Sequence, residues 1–495
     1  MSFVSLHFII FFPIVVCGYF LLPHKLRWLW LLVASYVFYM SWNPKYAIFL
    51  GASTLITYLS GILIGRANKV TDAVKSVRLK RIWVFSSFAI NIGILAVFKY
   101  LNFFNQTYVD IISSFGVAAK AMKFDLLLPV GISFYIFQAL TYTIDVYRGD
   151  VKPVKHLGKY ALFVSFFPQI IAGPIEKSKN MLHQFDEVHQ FDYDRAKKGL
   201  LLMLWGFFEK MVVADRLGEL VNTVYSSPQK HFGLEVAIAT VFFTFQIYCD
   251  FAGYSNIALG AAKILGFRLS INFDNPYFSK SIQEFWRRWH ISLGAWFKDY
   301  LYIPLGGNRC SKFRHCLNII IVFSVCGLWH GASINFVIWG LLHGLYQVIG
   351  LLLKPAKENA MRVLKIKENS FGYNFYRVIA TFLLVDFAWI FFRAETFGDV
   401  LTLLGNMFKF DPAAFWNGSI FNLGLPLPEF LMAVIGIVIV LVVGTMSRNQ
   451  SLCEKLLKRN TVIRWTVYLT LTIAILIFGI YGSKYDAQQF IYTQF

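Results

Sequence analysis

Apolar residues in this chain fall into long runs separated by short polar connections. The runs are 3–22, 28–42, 45–65, 82–98, 125–147, 159–176, 199–214, 236–265, 317–335, 336–353, 377–393, 429–446 and 465–482. A helix needs about 20 apolar residues to cross the hydrocarbon of a bilayer. The pattern therefore predicts an all-α polytopic membrane protein. Several runs are short, or hold Pro, Gly or charge, which predicts tilted, broken or re-entrant segments. Such backbone is stable only where protein or a water-filled cavity surrounds it. The block 317–353 would be about 55 Å long as one helix. It is expected to fold back near Gly331-Ala332-Ser333-Ile334-Asn335.

Composition strengthens this reading. The 495 residues are 57 % hydrophobic and 15 % charged, whereas soluble domains run at roughly 45–50 % and about 25 %. A single soluble core stops growing near ~250–300 residues. The net charge of +20 would suggest nucleic acid in a soluble protein. Here it is explained by the excess of Lys and Arg in short cytoplasmic loops, and nucleic-acid binding is set aside. The basic connections are 66–81, 148–159, 287–315, 354–377 and 447–464. Placing all five in the cytoplasm puts both termini outside. Three candidate crossings between 159 and 268 then require one to be re-entrant. Segment 394–428 becomes the one sizeable outer loop. Six cysteines without CxxC or metal-ligand spacing read as small hydrophobes, and no metal is expected. Met1 to Leu22 has no basic start or small-residue cleavage site and reads as a retained first span.

Polar groups inside apolar runs carry the chemical information, because an ionisable residue at a helix centre costs at least ~2.5–3.5 kcal/mol. Run 125–147 holds Gln138 and Asp145, and run 236–265 holds Gln246, Asp250 and Tyr254. Glu209 and Lys210 in run 199–214 either pair with a neighbour or reach toward the headgroups. His330 lies in Cys326-Gly327-Leu328-Trp329-His330-Gly331. Its imidazole suits a general base for a hydroxyl acceptor. Equally, it suits a histidine that bonds helices together. His343 reads as structural on the same argument. The stretch from Phe285 to Phe297 has helical periodicity: Phe285, Trp289, Leu293 and Trp296 share one stripe. We expect an interfacial amphipathic helix with His290 at the edge of its apolar face. Trp286, Arg287 and Arg288 stand on it. Lys298, Arg309 and Lys312 follow around Gly306-Gly307-Asn308. They are either ordinary cytoplasmic charge or contacts for a nucleotide's phosphates.

Taken together and in order, these stretches resemble the membrane-bound O-acyltransferase (MBOAT) family. The resemblance is to its bacterial branch, which includes the alginate O-acetyltransferase membrane subunit and the teichoic-acid D-alanyl transferase. It rests on Leu128-Pro129-Val130-Gly131-Ile132-Ser133-Phe134 with Asp145-Val146-Tyr147-Arg148-Gly149, and on Phe166-Phe167-Pro168-Gln169 with Ala172-Gly173-Pro174-Ile175. It rests further on Asp250-Phe251-Ala252-Gly253-Tyr254-Ser255, on Phe285 to Arg309, and on Leu328-Trp329-His330-Gly331. The motifs are densest over 125–345 of a single domain spanning 1–495.

The resemblance implies a ring of about 11 transmembrane helices, with re-entrant and interfacial helices, around a tunnel. In it His330 takes the family's catalytic position and His290 the second one. Lipid-modifying eukaryotic relatives tend to carry Asn at that second position, so His favours the polysaccharide branch. Gln138, Asp250, Tyr254, Trp286, Arg287, Arg288 and Trp329 are expected to line the substrate path. Lys298, Arg309 and Lys312 are expected on the donor. No cofactor is permanently bound, and acetyl-CoA is the expected donor substrate. The tail 483–495 ends Phe490-Ile491-Tyr492-Thr493-Gln494-Phe495, resembling an acyl-transfer motif in which the Tyr492 hydroxyl relays the acyl group. It reads equally as an interfacial anchor. The expected partners are an extracytoplasmic serine esterase-like acetyltransferase, a polysaccharide acceptor reached indirectly, and the bilayer of a bacterial cytoplasmic membrane. Rival readings are D-alanyl transfer from a carrier protein to teichoic acid, a non-catalytic transporter, and a lipid or protein acyltransferase.

Overall fold

A computed structural model describes residues 1–116, 120, 122, 124, 128–171, 173–409, 412–447, 452–481 and 490–491, without the side chains of 413 and 415. Tyr492 and most of the tail lie outside the described residues. Every regular element among the described residues is helical. Among the described residues, eight helices are long and apolar enough to cross a membrane: Tyr46–Ala67, Ala73–Ser114, Leu234–Leu265, Lys312–His330, Ile334–Leu352, Phe371–Arg393, Leu427–Ser447 and Thr461–Phe478. Three shorter helices, Leu6–Leu21, His24–Met40 and Ile132–Arg148, have 16, 17 and 17 residues, and Leu6–Leu21 among them is apolar enough to stand beside the eight. Leu476 and Ile477 on the last long helix are 62 % and 66 % exposed. Such apolar outer faces belong in lipid. The protein is thus an all-α, multi-pass membrane protein.

The described residues form two compact units, 1–203 with 257–270, and 204–256 with 271–495. In the first unit, helix Ile132–Arg148 starts after Gly131, whose φ of 72° is left-handed. A Cβ at Gly131 would also meet the Ile170 carbonyl at 2.5 Å. Gln138 and Gln169 both donate to the Phe163 carbonyl, at 2.6 and 2.7 Å. The Ser178 hydroxyl donates to Asp145 at 2.6 Å. These bonds brace run 159–176, which is helical only over Leu157–Ser165 before turning at Phe166. Nine helical residues rise about 14 Å, too little to cross.

In the second unit, the block 317–353 folds back as anticipated. Helix Lys312–His330 ends at Gly331, and Ile334–Leu352 starts after Ser333, whose hydroxyl accepts the Asn335 N–H at 3.3 Å. The two arms touch backbone to backbone at Gly327 and Gly340, whose Cα atoms make that approach possible. A Cβ on Gly327 would collide with the Phe336 carbonyl, and one on Gly340 with that of Phe323.

One expectation is corrected here. The stretch 285–297 is not one amphipathic helix. It is Ile282–Arg288 and Ile291–Phe297, broken at Trp289-His290, with His290 at φ 42° and ψ 55°. Segment 272–274 takes over the backbone bonds a continuous helix would make. Ile291 N–H donates to Asn272 O at 2.9 Å, and Asp274 N–H to Arg288 O at 3.0 Å. The Asn272 side chain locks the junction, accepting from the Ser292 hydroxyl at 2.6 Å and donating to that of Ser255 at 3.1 Å. Periodicity along 285–297 could not reveal a competing strand-like partner.

Gly327→Ala forces the two arms apart and is expected to cost about 1–3 kcal/mol. Gly350→Ala, on the same hairpin with nothing within 4 Å of its Cβ, is expected to stabilise by roughly 0.5–1 kcal/mol. Thermal unfolding of both variants in detergent checks the contrast.

Candidate functional site

The hairpin delivers His330 to the end of its helix, where it is buried. Three rings enclose it: Trp329 at 4.9 Å, Trp339 at 5.0 Å and Phe392 at 5.3 Å between centroids. Trp339 stacks on Trp389 at 5.6 Å, and Trp389 meets Trp289 at 5.0 Å. A continuous wall of indoles therefore backs the imidazole. Phe371–Arg393 supplies Trp389 and Phe392 one turn apart, on one face of that helix.

His290 belongs to the same constellation. Its ring is 6.1 Å from that of Trp329, which also packs on His330, and 4.6 Å from Phe251. The junction that carries it lies outside the membrane-spanning helices. Burial pushes its pKa down to about 3, so the ring is neutral at physiological pH. The left-handed backbone at a non-glycine residue costs of order 1–3 kcal/mol. Asn272 and Ser292 hold that conformation in place, which fixes the direction in which the imidazole points.

Asp250 and Tyr254 are on one face of Leu234–Leu265. Asp250 pairs with Lys210 at 2.6 Å, and Lys210 also pairs with Asp215 at 2.6 Å. The Lys210 ammonium stands 5.8 Å over the Tyr254 ring. Trp286 donates its indole N–H to Nδ1 of His343 at 3.2 Å. Arg288 pairs with Glu284 at 2.8 Å. Arg287, Lys298, Arg309 and Lys312 are exposed, Lys298 and Arg309 on the connection after Ile291–Phe297 and Lys312 at the start of Lys312–His330. Gln138 belongs to the first unit and is bonded as described above.

The structure thus joins His330, His290 and Trp329 directly, and ties Trp286 to them through Trp339 at 5.8 Å. Sequence reasoning missed Trp339, Trp389 and Phe392. Asp386, an acid within the apolar run of the helix bearing Trp389, was the available signal. Its carboxylate accepts the Thr244 hydroxyl at 2.6 Å. The buried seat of Phe490 was also missed.

A polytopic helical membrane protein with two buried, aromatic-walled histidines is the class that fold and site define. Comparison with known proteins then places it. The family model for the membrane-bound O-acyltransferase family matches residues 154–385. A Pseudomonas aeruginosa protein named probable alginate O-acetylase AlgI is 38 % identical over 401 residues, covering 81 % of this chain and 73 % of that one. The Helicobacter pylori peptidoglycan O-acetyltransferase is 34 % identical over 433 residues, covering 80 % and 77 %. A Streptococcus thermophilus teichoic acid D-alanyltransferase is 31 % identical over 244 residues, covering 47 % and 58 %. The chain belongs to the membrane-bound O-acyltransferase family and is an O-acyltransferase.

Because His290 is neutral in the folded chain and titrates near its ordinary value when unfolded, the unfolded state binds more protons below about pH 6.5. Stability from this group is complete above that pH. It is lost as pH falls toward 3, by up to about 1.4 kcal/mol per pH unit. Melting temperatures between pH 8 and 4 are expected to fall less steeply in His290→Asn than in wild type. At pH 8, His290→Asn is expected to melt above His290→Ala, since Asn accepts the left-handed backbone more readily.

Proposed function

We propose that this chain is the membrane subunit of an O-acetyltransferase system that takes acetyl from cytoplasmic acetyl-CoA and delivers it across a bacterial cytoplasmic membrane. The final acceptor is an extracellular or cell-wall polysaccharide. An extracytoplasmic serine esterase-like acetyltransferase completes the transfer. Both termini face outward, as the basic connections require. The observation that carries the reading is the joining of His330 and His290 across Trp329. It sets two imidazoles in one aromatic-walled place.

In the reaction, His330 accepts the proton of a hydroxyl as its oxygen attacks the thioester carbonyl. The C–S bond breaks, an ester forms, and the proton passes from the imidazolium to the CoA thiolate. The Tyr492 hydroxyl is the proposed first acceptor. Tyrosine at its ordinary pKa near ~10 needs such a base. The leaving group stays inside, and only a small acyl unit crosses. Exposed Lys298, Arg309 and Lys312 supply charge for the donor's phosphates. Arg287 adds to it, while Asp250, Tyr254, Trp286 and Arg288 shape and brace the path.

D-alanyl transfer is the second reading. The acetyl relatives align over about four-fifths of this chain and the D-alanyl relative over 47 %, which favours acetyl.

The test uses purified protein in nanodiscs with acetyl-CoA radiolabelled in its acetyl group. His330→Ala is expected to lower thioester turnover by about 10²–10⁴-fold. Tyr492→Phe is expected to abolish label on the protein. Turnover lost only in His330→Ala makes Tyr492 an anchor. Wild type that neither turns over acetyl-CoA nor labels, with its partner present, discards the acetyl donor. Full function in His330→Ala would favour a transporter.

A further inference from the structure

Lys210 projects from a π-helical turn, Phe208–Ala214, a local form that often marks functional positions. The turn reaches Leu234–Leu265 because residue 253 is glycine. A Cβ there would lie 2.7 Å from Gly206 O and 3.0 Å from Lys210 N. Asp250 is one turn away on the same face, so the close approach brings ammonium and carboxylate together.

One cation there serves two carboxylates. Asp250 gives Oδ1 to Lys210, and its Oδ2 accepts the backbone N–H of Ile491 at 2.9 Å, from 241 residues along the chain. Beside this bond Phe490, 1 % exposed, packs on Tyr254 at 4.7 Å and on Phe251 at 5.4 Å. Phe251 is the ring that meets His290 at 4.6 Å. A buried carboxylate binding a main-chain donor, with an aromatic seat for the adjoining side chain, is the chemistry of peptide recognition.

We propose that the Lys210–Asp250 pair is a docking site for a short peptide segment, filled by the chain's own Phe490-Ile491. Its occupation sets Phe490 behind Phe251 and so fixes the orientation of His290. Asp250 and Phe490 are positioning residues for the candidate site. The docking stands on these contacts, and only its bearing on turnover rests on the function proposed above.

Hydrogen exchange of the full chain in nanodiscs, read by mass spectrometry, tests it. The Ile491 amide is expected to exchange at least about tenfold more slowly than in a free peptide of the same sequence. In Asp250→Ala it is expected to approach the free-peptide rate while amides over 236–247 stay protected. Asp250→Asn, which keeps the volume and one oxygen, should fall between. A wild-type amide exchanging at the free-peptide rate, or one still protected in Asp250→Ala, overturns the docking. Protection lost over 236–247 in both variants also overturns it, since Asp250 would then be a strut of the fold. In the turnover assay, Phe490→Ala is expected to lower kcat about tenfold with KM for the donor unchanged. Unchanged kcat with normal exchange behaviour leaves the dock but removes its link to His290.

Discussion

A buried cation needs partners, because desolvating it costs several kcal/mol unless opposite charge and hydrogen bonds surround it. Lys210 is that cation, and much of the second unit follows from satisfying it. The π-helical turn aims its ammonium, Gly253 lets the turn approach, and Asp215 and Asp250 complete the pairing. The neighbouring Arg216 obeys the same rule, binding Glu429 at 2.7 Å and the Phe478 carbonyl at 2.8 Å. In doing so it fastens two of the long apolar helices, Leu427–Ser447 and Thr461–Phe478, to the helical segment that carries Lys210. Helices in lipid have no hydrophobic drive to associate with one another. Ion pairs, small-residue contacts and backbone bonds must do what core burial does in a soluble protein.

That distinction explains what the sequence made legible. Crossings are set by length and hydropathy, which are local, so the fold-back of 317–353 could be read directly. The motif glycines could be read as sites of close approach, and Gly327 and Gly331 stand where the hairpin needs them. Pairing across the bundle is a different matter. Lys210 showed only that it needed a partner, and Asp250 lies forty residues further along the chain, on another helix. The indole wall was invisible for the same reason. Trp289, Trp339 and Trp389 come from three helical segments, and nothing in any one of them specifies the other two. The break at His290 was hidden by periodicity itself. Both half-helices keep the apolar stripe of an unbroken one, and the signal for the break is Asn272, a polar residue in another segment.

The aromatic surroundings also bear on chemistry. Rings bury area without competing for a proton, so they can exclude water from an imidazole. Trp329 packs against both histidines. One imidazole sits at the end of a long apolar helix and the other on a strained junction.

The strained junction makes a further point about the second position. His290 must first satisfy a left-handed backbone, and only a few residue types do so at low cost: glycine, then asparagine, aspartate and histidine. A position of that kind can exchange histidine for asparagine without disturbing the main chain. The residue type then decides the chemistry while the fold stays constant, because an imidazole can take and return a proton and an amide can only orient one. Conformation selects a short list of side chains, and the chemistry asked of the position selects from that list.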